Sequence, residues 1–318
     1  MSRMLVTGGA GFIGSHIAER LADLGHEVRV IDNFSTGKRE NLAAFAGRVT
    51  VIEGDIRDLA VVKGAARGVD VVFHEAALAS VPRSVDDPMT SDDVNVHGTL
   101  NVLVASRDAG VRRVVYASSS SIYGNSPGLP KREDMTPAPE SPYAVGKLAG
   151  ELYCSVFSSL YRLPCVALRY FNVFGPRQDP LSQYAAVVPL FARAFLRAEQ
   201  PVIYGDGEQS RDFTYVQNVV DANLAAAESD GAVGKVLNIA CGSTTTVNDL
   251  CERIRTLTGA DVQARLAPPR PGDVKHSYAD VSRARALLGF APAVGLDDGL
   301  ARTVEWFRSS VTPRPGPG

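Results

Sequence analysis

Residues 3–21 read "RMLVTGGAGFIGSHIAERL", and this stretch decides the fold. A short apolar run, "MLVTG", leads into a loop containing Gly8, Gly11 and Gly14, and the residues that follow have helical spacing. Strand, glycine loop and helix in this order are typical of the first βαβ unit of a dinucleotide-binding sheet. Gly8 permits the turn, Gly11 lets backbone N–H groups approach a pyrophosphate, and Gly14 lets the helix pack close to the strand. The N-terminus of the helix then favours the negative phosphates.

The second apolar run, "EVRVID", ends in Asp32, 21 residues after the second glycine of the loop. A carboxylate at this place accepts hydrogen bonds from ribose hydroxyls and repels a 2′-phosphate, which favours NAD over NADP. Lys38 and Arg39 follow closely, and their positive charge keeps NADP open as the alternative. After the third run, "GDIRD" offers Asp55 and Ile56 to flank the adenine.

Further apolar runs, "VTVIEGD", "DVVFHEAA" and "RRVVYASSS", alternate with helical patterns, most clearly over residues 90–110. This alternation predicts βαβ units and a parallel sheet, and continuous apolar runs indicate strands that are covered on both faces. "PVIYG" and "KVLNIA" predict later strands. We therefore expect an α/β fold, a Rossmann-type doubly wound parallel sheet with a smaller C-terminal α/β substrate-binding lobe. The predicted units are 1–170 for NAD, 171–312 for substrate with some chain exchange between the lobes, and a disordered tail at 313–318.

Composition excludes several classes of function. The chain has 318 residues and a net charge of −2, so nothing global favours nucleic acid or an anionic membrane. The sequence has no signal-peptide pattern and no apolar run of membrane-spanning length, which predicts a cytoplasmic protein. The cysteines, at positions 154, 165, 241 and 251, form no C-x-x-C pair, and we see no signal of a metal site.

The stretch "ESPYAVGKLAGEL", residues 140–152, places Tyr143 and Lys147 four residues apart, on one face of a helix. Upstream, residues 117–124 read "ASSSSIYG". Together with "TGGAGFIG", Asp32 and "RYFNVFGP", these motifs resemble the extended short-chain dehydrogenase/reductase family, and within it the nucleotide-sugar 4-epimerases. The resemblance runs from about residue 3 to about residue 308.

The resemblance implies catalytic roles for three residues. Tyr143 is the base that takes a proton from a sugar hydroxyl, and Ser119 hydrogen-bonds the same sugar oxygen, with Ser120 as a neighbouring alternative. The ordinary pKa of tyrosine, near 10, is too high for neutral pH. We expect the ammonium of Lys147 and the positive nicotinamide to favour the phenolate and lower that pKa. Lys147 also holds the nicotinamide ribose.

The run of serines limits which reactions of this family the chain can catalyse. Sugar 4,6-dehydratases of this family carry Thr-Asp-Glu where this chain has residues 119–121, and glucuronate decarboxylases carry Glu in place of Ser121. Because serine cannot replace those carboxylates, the remaining reaction is inversion at C4 through a 4-keto sugar. Two rival functions are an NAD-sensing binding protein without catalysis, for which Tyr143 and Lys147 would be unnecessary, and a reductase that releases NADH.

The second half is expected to hold a UDP-sugar. Two arginines, Arg211 and Arg270, suit its pyrophosphate because guanidinium groups make bidentate contacts. Ser277, where some epimerases restricted to plain hexoses carry a tyrosine, leaves room for an N-acetyl group. We therefore expect UDP-GlcNAc/UDP-GalNAc and also UDP-Glc/UDP-Gal as substrates. UDP-glucuronate is the alternative, because Arg83 and Arg177 are close in sequence to the motifs, although Asp179 would repel its carboxylate.

The resemblance also implies the full set of binding residues and a homodimer that pairs helices at about 90–108 and 143–161. The predicted cofactor-binding residues are Gly8, Gly11, Phe12, Ile13, Gly14, Asp32, Asn33, Gly37, Asp55, Ile56, Ala76, Ala77, Asn95, Tyr143 and Lys147. The predicted substrate-binding residues are Ser80, Ser119, Ser120, Tyr143, Asn172, Val187, Val188, Arg211, Arg270, Asp273 and Ser277.

Overall fold

The computed structural model describes residues 1–180, 186–269 and 275–310. Its centre is a parallel sheet of seven strands in the order β3-β2-β1-β4-β5-β6-β11. The order reverses between β1 and β4, so the carboxyl ends of these two strands flank the point where doubly wound sheets bind ligands. The strands are β1 (Arg3–Thr7), β2 (Glu27–Asp32), β3 (Val49–Glu53), β4 (Val71–His74), β5 (Arg113–Ser119), β6 (Cys165–Tyr170) and β11 (Val236–Ile239).

Helices cover both faces of this sheet, as the continuous apolar runs predict. Alternate residues of β1 show the reason, because Val6 belongs to one buried cluster and Leu5 to the other. One face carries α1 (Phe12–Asp23), α8 (Val216–Glu228) and α10 (Ser282–Leu288). The other face carries α2 (Leu59–Ala66), α5 (Thr99–Asp108) and α6 (Pro142–Leu160), with α3 (Val81–Asp86), α4 (Pro88–Asp92) and a π-helical segment (Asp93–Gly98) packed beside α6.

A smaller unit contains the remaining elements around a third apolar cluster, in which Phe174, Phe191 and Phe307 are almost fully buried. Its strands have only two or three residues each. It consists of β7 (Val173–Phe174), α7 (Val187–Leu196), β8 (Val202–Tyr204), β9 (Ser210–Arg211), β10 (Thr214–Tyr215), β12 (Thr245–Thr246), α9 (Val247–Thr258), β13 (Arg265–Ala267), β14 (His276–Ser277) and α11 (Leu296–Ser310).

The chain passes between the two units more than once. After β6 it enters the smaller unit, returns through α8 and β11 to the main sheet, and leaves again at β12. We keep the division at about residue 170 as a proposal, with α8, β11 and α10 assigned to the first unit. The predicted tail at 313–318 lies outside the described residues. In the described part of the chain, no helix combines the length and the apolar character needed to cross a membrane.

Candidate active site

The glycine loop after β1 forms a cradle in which side chains have no room. Gly8 adopts a positive φ of 66°, and a Cβ there would lie 2.7 Å from the backbone of Ala76. A Cβ on Gly14 would lie 2.3 Å from the carbonyl oxygen of Gly8. Gly11 is the N-cap of α1 and provides no side-chain cap, so the first N–H groups of the helix remain to bind an anion. This geometry fits the pyrophosphate of a dinucleotide.

Asp32, at the end of β2, has each carboxylate oxygen held by one backbone N–H. Oδ2 accepts from Ala10 at 2.9 Å and Oδ1 from Phe34 at 2.8 Å. Burial raises the pKa of Asp32 above its usual value, although these two N–H groups oppose the rise. A Cβ on Gly37 would lie 2.8 Å from both oxygens, so the glycine keeps this side of the carboxylate open. The remaining lone pairs suit ribose hydroxyls.

The two cations that favoured NADP are bound to carboxylates of the chain. Lys38 Nζ lies 3.0 Å from Asp179, and Arg39 pairs with Glu53 at 2.5 Å. The guanidinium of Arg39 also lies 4.0 Å above the ring of Phe34. With both charges balanced in this way, the structure offers less support for a 2′-phosphate than their positions in the sequence did.

A groove with an empty volume of about 900 Å³ runs along the carboxyl ends of β1 to β4. Asp55, at its far end, accepts from Asn33 at 2.8 Å and pairs with Arg57 at 2.7 Å. Asn95 lies behind the wall, where its amide binds both the N–H and the carbonyl of Leu78. The predicted residues that line the groove are Gly8, Gly11, Phe12, Ile13, Gly14, Asp32, Asn33, Asp55, Ile56, Ala76 and Ala77.

The start of α6 fixes the predicted base. Ser141 caps the helix by accepting from Ala144 N at 3.2 Å, and Pro142 occupies its first turn. The hydroxyl of Ser84, from α3, accepts from Tyr143 N at 3.1 Å. Tyr143 is thereby held in the first turn of α6, next to Ser119 at the end of β5.

The chain's own groups raise the pKa of Tyr143. Burial raises it above the usual value, the hydrogen bond with Ser119 opposes the rise, and the negative charge of Glu75 adds to it. Lys147 does not reverse this, because its ammonium donates to Ala117 O at 2.7 Å and lies 6.0 Å from the centre of the Tyr143 ring. The predicted lowering requires the positive nicotinamide as well as Lys147, and it stays a prediction.

Lys147 itself is buried, with 3% of its surface exposed. Burial lowers its pKa to about 8, and the negative charge of Glu75 opposes the fall. The negative charge of Glu75 thus favours the ammonium form of Lys147. A buried charged donor of this kind suits a ribose hydroxyl and an ionising phenol.

Sequence reasoning missed two features behind this site. Glu75 follows β4 and lines the groove; its signal was an acid directly after a buried apolar run. Glu151 of α6 and Arg169 of β6 form a buried ion pair at 2.7 Å. Ser118, next to Ser119, donates to Glu151 at 2.5 Å. This network ties β5, β6 and α6 together and so holds the catalytic residues in register.

The predicted substrate residues are divided among several places. Asn172, Val187, Val188 and Arg211 line a second, open cavity. Ser277 pairs with Arg211 in the register of β14 and β9 but does not belong to the cavity wall. Ser80 caps α3 through Arg83 N, and Ser119 and Ser120 end β5 and begin the following 3₁₀ turn. The other two predicted residues, Arg270 and Asp273, lie outside the described residues.

The residues considered for a uronic acid have different surroundings. The guanidinium of Arg177 binds Glu19 at 2.5 Å and lies 5.6 Å above the ring of Phe45, so it is directed to α1. Asp179 pairs with Lys38. Arg83, by contrast, is exposed on α3, one helical turn from Ser80.

Comparisons with known proteins agree with this geometry. The model of the NAD dependent epimerase/dehydratase family matches residues 4–240. The chain is 43% identical over 311 residues to the UDP-glucose 4-epimerase of Mycolicibacterium smegmatis, covering 96% of this chain and 99% of the relative.

Two solved structures show the range of sugars among similar proteins. A UDP-N-acetylglucosamine 4-epimerase from Methanobrevibacter ruminantium, in complex with UDP-N-acetylmuramic acid, has a TM-score of 0.94 and 44% identity over 98% of this chain and 99% of its own. A UDP-glucuronic acid 4-epimerase mutant from Bacillus cereus, in complex with a 4-deoxy-4-fluoro UDP-glucuronic acid and NAD, has a TM-score of 0.89 and 32% identity over 97% of this chain and 100% of its own.

Proposed function

Because this chain belongs to the NAD dependent epimerase/dehydratase family, we propose that it is a UDP-sugar 4-epimerase that acts on UDP-GlcNAc/UDP-GalNAc and on UDP-Glc/UDP-Gal. The predicted class of enzyme, an NAD-dependent nucleotide-sugar 4-epimerase, is confirmed by its relatives. So is the predicted cofactor, NAD. The choice of sugar remains a proposal, because the similar proteins differ in it.

One observation carries the proposal: Tyr143, Ser119 and Lys147 come together where β5 and the start of α6 meet, and Glu75, which lines the groove, acts electrostatically on both Tyr143 and Lys147. Tyr143 takes the proton from the 4-hydroxyl and later returns it. Ser119 donates to the same oxygen and keeps it within reach of the phenol. Lys147 supplies positive charge and holds the nicotinamide ribose. When bound, NAD would supply the acceptor and donor of the C4 hydride, and inversion would require the 4-keto sugar to turn over between the two transfers.

The surroundings of Ser119 support epimerisation rather than elimination or decarboxylation. The 3₁₀ turn that follows β5 contains Ser120 and Ser121, where dehydratases and decarboxylases need carboxylates. Glu75, a carboxylate of this end of the groove, accepts from the hydroxyl of Tyr170. The intact catalytic set also argues against a binding protein without catalysis.

The sugar proposal depends on Ser277. Its strand, β14, pairs with the strand of Arg211, which lines the cavity that we propose for the diphosphate, and a small side chain at this position suits a sugar with an N-acetyl group. For UDP-glucuronate, the remaining favourable feature is Arg83, because Arg177 binds Glu19.

The test is turnover of UDP-GlcNAc, UDP-Glc and UDP-glucuronate by the purified protein with no NAD added. We expect interconversion of the first two and no net NADH. Release of stoichiometric NADH would indicate net oxidation of the sugar, an oxidoreductase instead of an epimerase, and turnover of UDP-glucuronate alone would favour the alternative substrate.

We also propose a cytoplasmic homodimer. Val145, Leu152 and Val156 form an exposed apolar stripe along α6, and Met89 of α4 is 79% exposed beside it. Exposed apolar patches of this kind mark protein interfaces, and a second copy offers the same stripe in return. Leu152→Glu should yield monomers in light scattering, whereas Leu266→Glu, on exposed β13, should not change the mass.

A further inference from the structure

Glu75 lies where the order of the strands reverses, between β1 and β4. It follows β4 directly, and its N–H donates to Thr7 O of β1 at 3.2 Å. Its neighbour Ala76 forms the contact with the glycine cradle described above. Glu75 therefore belongs to the wall of the groove proposed for the dinucleotide, where it is followed by the apolar residues Ala76, Ala77 and Leu78.

The carboxylate of Glu75 is fixed by neutral partners. Oε1 accepts from the hydroxyl of Tyr170 at 2.8 Å, and Asn223 Nδ2 donates to that same hydroxyl at 2.8 Å. Because this donor is neutral, the charge of Glu75 is opposed only through space, by the ammonium of Lys147. Asp55, at the adenine end of the groove, is different because Arg57 neutralises it at 2.7 Å.

The charged and titratable groups around Glu75 place it at the catalytic end of the groove. From α6, Lys147 lowers the pKa of Glu75, and Glu75 in turn raises that of Tyr143. His74 of β4 is neutral because burial lowers its pKa to about 3, and Tyr170 of β6 is neutral because burial raises its pKa. Burial raises the pKa of Glu75 itself to about 7.

We propose that Glu75 sets the redox preference of this groove, because its carboxylate favours the positively charged oxidised nicotinamide over the neutral reduced one. The inference rests on the proposed function, which puts the nicotinamide beside Tyr143 and Lys147. A fixed negative charge attracts the cationic ring and has little effect on the neutral ring. An epimerase must regain NAD⁺ in each cycle, so such a charge helps to return the hydride to the sugar.

The experiment compares the relative affinities for NAD⁺ and NADH of the wild type, Glu75→Gln and Asp55→Asn. Each purified protein is equilibrated with mixtures of the two cofactors, freed of unbound cofactor by gel filtration, and assayed for bound NADH by absorbance. Glutamine keeps an oxygen that accepts from Tyr170 and removes only the charge. Melting temperatures report whether each variant is folded.

We expect Glu75→Gln to shift the ratio of bound NADH to bound NAD⁺ by about tenfold towards NADH, as a nearby unit charge in a partly buried site can do. Asp55→Asn should change both affinities by a similar factor and leave the ratio unchanged. The wild-type preference for NAD⁺ should also grow between about pH 6 and pH 7.5, as Glu75 ionises, and Glu75→Gln should lose this growth.

An unchanged ratio in folded Glu75→Gln would overturn the inference, as would an equal shift in Asp55→Asn. A wild-type protein that binds neither form of the cofactor would instead overturn the proposed function. The two failures are therefore distinguishable.

Discussion

The walls of the proposed cofactor groove follow the strands of one continuous sheet, whereas the walls of the proposed substrate cavity come from α7 and from strands of two or three residues. In the groove, backbone hydrogen bonds between long parallel strands fix where each wall begins. In the cavity, the position of each wall is fixed by the side-chain packing of Phe174, Phe191 and their neighbours. Changes in the groove and at the catalytic end should therefore act equally on every sugar, and changes in the smaller unit should act on substrate affinity or sugar choice.

The largest effect is expected for Tyr143→Phe. Removing the hydroxyl removes the group that moves the proton, so turnover should fall by roughly 10²–10⁴-fold, the usual worth of a positioned acid–base group. The fall should be equal for all UDP-sugars, with NAD still bound, in steady-state assays of a sugar panel. Near wild-type turnover would contradict the mechanism.

Arg211→Ala tests the cavity of the smaller unit. The guanidinium donates to the carbonyls of Ser210 and Lys275 and lines the cavity proposed for the diphosphate. Losing a charge-assisted contact should raise KM for UDP-sugars by roughly 10–100-fold while NAD is retained. Arg265→Ala, on exposed β13 of the same unit, is the matched control and should leave KM unchanged. Loss of NAD from Arg211→Ala would contradict the expectation that the smaller unit affects only the UDP-sugar.

Gly14→Ala should damage the groove for every substrate alike. The new methyl group would lie 2.3 Å from Gly8 O, so the loop must shift, at a cost of about 1–3 kcal/mol in unfolding free energy. Less NAD should be retained after purification, and the melting temperature should fall. Gly64→Ala is the control, because it lies within α2 with open space around it. A stable Gly14→Ala variant with full NAD content would show that the cradle is looser than its geometry indicates.

The smallest effect is expected for Ser277→Tyr. A larger side chain beside the diphosphate site should lower kcat/KM for UDP-GlcNAc by about tenfold relative to UDP-Glc, because it fills the space of the N-acetyl group. Ser282→Tyr, exposed at the start of α10, should leave this ratio unchanged. An equal loss of kcat/KM for both sugars would show that Ser277 does not determine which sugar is used.

Much of the groove could be predicted because its signals are local. The glycine spacing, the acid that ends β2 and the i, i+4 pair at Tyr143 and Lys147 depend on residues close in sequence. The smaller unit was harder to predict, since two-residue strands such as β9 and β14 have no periodicity of their own and exist through their pairing. The role of Arg177 shows the same limit, because only the fold reveals that Glu19 binds it.

Local sequence is enough to specify the parallel sheet, the phosphate cradle and the proposed catalytic pair, because apolar runs, glycine positions and helical spacing act over a few residues. The charges around that pair depend on the fold. Burial raises the pKa of Tyr143 and lowers that of Lys147, and the charge of Glu75 acts on both. Burial and the position of Glu75 depend on chain segments that are far apart in the sequence.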